Sequence, residues 1–162
     1  MVLACTGCGM EVAEGAGGCR AMFDQLAVRQ WQAPVAYRIR RMMVDTYSLQ
    51  HPDELCASAK SLAAHLTGLC AALEYPSHPT ILKVLLAWCE SRPAVERPAL
   101  PSARGKVTTA ESFAAPDAER LIAAAERWAH ATWKAYGPLQ ALARRWVGEA
   151  LALPAGAPRR RR

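Results

Sequence analysis

From Cys19 to Trp146 the apolar side chains recur three and four positions apart, and no stretch alternates convincingly with period two. That spacing lines one face of an α-helix rather than one face of a half-buried strand, so the chain is expected to fold as an all-α helical bundle. About five helices are outlined. Met22, Phe23, Leu26, Ala27 and Gln30 mark a first one that starts at Cys19, reaches Trp31 and is stopped by Pro34. Val35, Ile39, Met42, Met43, Thr46 and Leu49 share the face of a second, with Arg38, Arg41 and Asp45 along its flank. The third runs from about Glu54 to Glu74 and turns Leu55, Ala59, Leu62, Leu66, Leu69, Cys70 and Leu73 to the core. A fourth, apolar from Ile81 to Trp88, is expected at the centre of the bundle. Prolines 93, 98 and 101 make the next stretch an extended crossover. The last helix begins near Pro116 and Asp117 and shows Leu121, Ala125, Trp128, Thr132, Tyr136, Leu139, Leu142 and Trp146 at helical spacing. Pro138 inside it removes a backbone N–H and crowds the preceding turn, which predicts a kink or two helices in series.

These 162 residues are enough for one core, and a composition that is 52% hydrophobic and 21% charged is that of a globular chain. The expected organisation is a single helical domain over 1–153, which includes a small non-helical knuckle over 1–18, followed by a disordered Pro/Gly/Arg tail over 154–162. No apolar run approaches the roughly 20 residues that span a bilayer. Cys5 is preceded by neither a basic segment nor an apolar stretch of signal-peptide length, so a cytoplasmic location is expected, with the six cysteines as thiols or metal ligands rather than disulfides. Arg159 to Arg162 supply four charges of the net +6 and leave the remainder nearly neutral. Weak nucleic-acid binding through that tail is therefore a secondary reading. The five tryptophans, Trp31 among them, fall mainly on apolar faces and read as core.

The chemistry concentrates at CTGCG, residues 5–9. Cys5 and Cys8 have the spacing of a metal knuckle, and Gly9 permits the tight turn that aims both sulfurs at one ion. A tetrahedral zinc site needs two more donors. Cys19 follows a glycine-rich stretch able to fold back and sits at a helix start. The fourth is either His51, at the junction where Pro52 opens a new helix, or Cys56 beside it. His51 is favoured, because a junction residue can turn its ring away from the core. Cys5, Cys8, Cys19 and His51 thus form a candidate structural zinc site. Cys70 and Cys89 read as small buried hydrophobes. Asp45, spaced one turn from Arg41, reads as a surface ion pair. If the second and third helices are antiparallel, Asp45, Gln50, His51 and His65 could instead surround a polar pocket holding a catalytic metal. No glycine-rich phosphate loop, G-x-S-x-G elbow or H-E-x-x-H motif is present.

The segments MVDTYSLQHPDELCASAKSLAAHLTGLCAALEY, LPSARGKVTTAESFAA and RWAHATWKAYGPLQALARRWV resemble the bacterial family catalogued as domain of unknown function 5946, with VDTYSLQHP the most specific piece. The resemblance extends from the CxxCG knuckle to Val147. It implies a motif formed here by Cys5, Cys8, Cys19, Asp45, Tyr47, Gln50, His51 and Pro52. It also implies a histidine just before the VD pair, where this chain has Arg40. No activity comes with it. The expectation is a small cytoplasmic zinc-binding helical protein that acts as a binding or accessory module for an unknown protein or small-molecule partner. The rival is a metal-dependent enzyme built around Asp45, His51 and His65. Partner, substrate and oligomeric state are not legible.

Overall fold

The computed structural model describes residues 1–32, 35 and 37–154; Pro34 and most of the Pro/Gly/Arg tail, residues 155–162, lie outside the described residues. The fold is all-α, preceded by a short hairpin. Strands β1 (Val2–Ala4) and β2 (Glu11–Ala13) pair antiparallel, Val2 opposite Ala13 and Ala4 opposite Glu11. Eight α-helices follow among the described residues: α1 (Ala16–Gln32), α2 (Tyr37–Gln50), α3 (Pro52–Leu55), α4 (Ala59–Glu74), α5 (Ile81–Glu90), α6 (Thr109–Phe113), α7 (Ala118–Ala135) and α8 (Gln140–Leu151). None of them is long and apolar enough to cross a membrane.

Helix α1 starts three residues before Cys19, so Ala16, Gly17 and Gly18 are helical rather than loop. The expected third helix is two. Ser58 breaks it with a capping box, in which its hydroxyl accepts the Ser61 N–H and the Ser61 hydroxyl accepts the Ser58 N–H. These bonds satisfy end groups that a continuous helix would not leave open. Cys56 therefore closes α3 instead of lying one turn into a long helix. At Pro138 the expected interruption is a 3-10 turn, Gly137–Leu139, that joins α7 to α8 in series.

Helix α2 runs through the middle of the molecule, packed on α4 and α7, and α8 closes the bundle over α4 and α5. Ile39, Met42, Met43, Leu49, Leu62, Leu66, Leu69 and Trp128 form the centre of the core. Two expectations about burial fail. Helix α5 is peripheral: Ile81, Leu85 and Trp88 are buried, while Leu86 is 60% exposed. One apolar face against the bundle is enough to hold it, with Leu82, Val84 and Cys89 partly buried at its margins and Leu86 facing water. Trp31 is 74% exposed, with the Arg40 guanidinium over its ring at 4.9 Å, because it lies on the outer face of α1, next to the buried Gln30.

The crossover of residues 91–108 is tied to the bundle by polar groups. Fully buried Gln50 donates from Nε2 to the carbonyls of Arg104, at 3.1 Å, and Val107, at 2.8 Å, while its Oε1 accepts the Trp128 indole N–H at 2.9 Å. Its amide thus finds partners at both ends, as a buried amide must.

Candidate metal centre

The hairpin turn places the first two donors. Cys5 N–H bonds the Met10 carbonyl and Gly9 N–H bonds the Cys5 carbonyl, each at 2.8 Å, and Gly9 adopts φ +76°, which an L side chain would resist. This knuckle lies directly on the α2–α3 junction. A Cβ at Gly7 would stand 2.3 Å from His51 Cδ2, so glycine is what permits the approach. Cys19, in the first turns of α1, supplies a third sulfur from the side.

His51 is oriented from behind. Its Nδ1–H donates to the Tyr47 carbonyl at 2.8 Å, one turn earlier on α2, which aims Nε2 at the sulfurs, where it offers a lone pair once its proton is lost. The ring stacks on Tyr47 at 4.0 Å, and Tyr47 stacks in turn on Phe23 of α1 at 3.9 Å. Trp128 of α7 meets this stack edge-on. Helices α1, α2 and α7 therefore fix the imidazole before any ligand arrives.

The donor atoms of Cys5, Cys8, Cys19 and His51 all lie within 4.8 Å of one another. Nε2 is 3.4 Å from both Cys5 Sγ and Cys19 Sγ, and the Sγ atoms of Cys8 and Cys19 are 3.7 Å apart. Sulfurs at about 2.3 Å and a nitrogen at about 2.0–2.1 Å from a tetrahedral zinc ion would have edges of about 3.8 Å (S–S) and about 3.6 Å (S–N). The residues present fit such an ion in donor type, number and spacing. Cys5, Cys19 and His51 are buried, and Cys8 is half-buried.

The electrostatics favour charge separation within the cluster. A hydrogen bond from the Cys19 thiol, against the penalty of burial and aided by His51, lowers the Cys8 pKa to about 4. Cys19 moves in the opposite direction, because Cys8 takes the negative charge and burial disfavours a second one. Burial opposes a charged His51, but its bonds to Cys8, the Tyr47 carbonyl and Cys5 prevail and raise its pKa to about 9. The protons so held must leave when a cation binds, so metal affinity falls in acid.

The other sequence candidates go elsewhere. Cys56 Sγ donates to the Ser48 carbonyl at 3.4 Å and lies outside the cluster, and burial pushes its pKa up to about 12. Gln50 clamps the crossover. Asp45 is not a surface residue: it is 0% exposed, lying between α2 and α4. Its Oδ2 accepts Arg41 Nε at 2.9 Å, and its Oδ1 accepts Arg41 Nη2 and His65 Nδ1, each at 2.8 Å. A Cβ at Gly68 would meet Asp45 Oδ2 at 2.2 Å, so α4 can cover the carboxylate only because residue 68 is glycine. Asp45 and His65 do meet, but His51, six residues on and just past the end of α2, faces the sulfurs. A cleft of about 170 Å³ nearby is lined by Arg41, Ala64, Gly68, Leu85 and Cys89 together with Tyr37, Leu82 and Leu86, not by the Asp45 or His65 side chains.

The contribution of Tyr47 and Gly7 was not read from spacing. The one local signal was the four-residue interval between Tyr47 and His51, which puts both on one face of a helix.

Fold and site together define a helical protein with a buried Cys3His donor cluster between an N-terminal hairpin and the bundle. Residues 3–137 match the Family of unknown function (DUF5946), and the chain belongs to that family. No curated protein and no solved structure matches it.

Proposed function

We propose that the chain is a zinc-binding cytoplasmic protein in which Cys5, Cys8, Cys19 and His51 hold a structural ion, and that it serves as a binding or accessory module. The observation that carries this reading is the closed set of four protein donors within 4.8 Å, three of whose edges, at 3.4, 3.4 and 3.7 Å, are close to those of a zinc tetrahedron. Three thiolates and an imidazole suit zinc, and four protein ligands leave no position for a substrate or a reactive water. When bound, the ion would neutralise the thiolates and join the hairpin to α1 and α2. His51 would present its lone pair, Tyr47 would hold the ring in place, and Gly7 would let the knuckle close over it. A metal-dependent enzyme around Asp45, His51 and His65 has less support, since Arg41 occupies the Asp45 carboxylate and His51 points away from it.

Metal analysis of the purified chain tests the reading. About one zinc per chain is expected, lost in Cys8→Ser and in His51→Ala. Zinc retained by both variants would sink the assignment.

A further inference from the structure

We propose that Cys8 is a site of oxidation by peroxide and Cys19 its resolving thiol, so that the cluster exchanges its ion for a Cys8–Cys19 disulfide. The inference rests on the metal reading above, because the ion is what the disulfide displaces.

Access and proximity carry it. Cys8 is the half-buried member of the cluster, whereas Cys5 is 2% exposed and Cys19 0%. A small oxidant from solvent therefore reaches the Cys8 sulfur first. The sulfur hydrogen-bonded to that of Cys8 belongs to Cys19, at 3.7 Å. Cys8 also sits in the turn of the hairpin rather than on a helix, so a loop has only to yield for the two sulfurs to reach bonding distance.

The chemistry closes with peroxide as the one co-reactant. The Cys8 thiolate attacks a peroxide oxygen, the O–O bond breaks, hydroxide leaves and the sulfur becomes a sulfenic acid. The Cys19 thiolate then attacks that sulfur, the S–S bond forms, the S–O bond breaks and a second hydroxide leaves. Two electrons pass from the sulfurs to the O–O bond, and with two protons the products are a disulfide and two waters. Cys5 and His51 remain, two donors where a structural zinc ion needs four, so the ion departs. The new bond spans the hairpin turn and α1, so the hairpin stays attached.

The test uses the full chain loaded with zinc and hydrogen peroxide as the oxidant. Zinc release is followed with a colorimetric chelator. Cleavage after Glu11 and Glu14 separates the peptide carrying Cys5 and Cys8 from the one carrying Cys19, and fragment masses locate the link. Cys89, half-buried on α5 and outside the cluster, controls for exposure alone. The expected result is loss of about one zinc per chain in step with a Cys8–Cys19 link, both reversed by reductant and fresh zinc, with Cys89 still reduced. Zinc retained under peroxide, release with a Cys5–Cys8 link, or oxidation of Cys89 ahead of the cluster would each overturn the exchange while leaving the metal reading intact. A chain that cannot be loaded with zinc at all overturns the metal reading and the exchange with it.

Discussion

At its C-terminal end α2 presents His51 to three cysteine sulfurs, whereas six residues earlier it presents Asp45 to Arg41 and His65. Both clusters bury polar groups against the same helix, yet they are completed differently. Around Asp45 the protein supplies everything: each carboxylate oxygen accepts a hydrogen bond from a neighbouring side chain, and the residue is fully buried. Around His51 the protein supplies metal donors whose partners are mainly one another. Three sulfurs and an imidazole converge, and a buried set of that kind can be satisfied by a cation that replaces their shared protons. The Asp45 cluster locks α2 to α4 by side chains alone; on the proposed reading, the Cys3His cluster locks the hairpin to α1 and α2 through an ion.

The largest expected effect breaks one side of that contrast. Cys19→Ser should abolish zinc retention and lower unfolding stability by roughly 5 kcal/mol or more, the scale set by structural zinc. Chelating the zinc from the unaltered chain should mimic it in denaturant titration. Asp45→Asn should cost about 2–4 kcal/mol, since it leaves Arg41 and His65 without their charge partner in a largely buried setting, and should leave zinc content unchanged. A loss of zinc on that change would show that the two clusters are one system. Gly68→Ala sharpens the same point: the added methyl collides with Asp45 Oδ2, and a destabilisation of roughly 1–3 kcal/mol with full zinc content is expected. The smallest effect is at the break between α3 and α4. Ser58→Ala removes the capping box and should cost about 1 kcal/mol, seen as a shifted unfolding midpoint with no change in metal.

The same contrast explains what could be read in the sequence. Cys5, Cys8, Cys19 and His51 were legible because soft donors are rare and each stands where the backbone turns: in a knuckle, near a helix start and at a helix junction. Pro138 likewise announced the interruption between α7 and α8, because its ring acts on the backbone whatever surrounds it. Asp45 was misread. Arg41 one turn earlier gives the pattern of a solvated pair, and only His65 and Gly68, 20 and 23 positions further on, reveal that a second helix covers it. The apolar stripe from Leu55 to Leu73 continues across the break at Ser58, so periodicity alone could not show two helices there. Helix α6 and the strands are too short, at five and three residues, to establish a period of their own. Gln50 was noted as polar, but its role as the clamp of the crossover depends on Arg104, Val107 and Trp128, which come together only in the folded chain.

X-ray absorption at the zinc edge of the metal-loaded chain tests the Cys3His cluster directly. Three sulfurs at about 2.3 Å and one nitrogen at about 2.0–2.1 Å, with no oxygen in the shell, are expected from Cys5, Cys8, Cys19 and His51. A shell dominated by oxygen and nitrogen, or one with a water in the fourth position, would contradict a closed structural site.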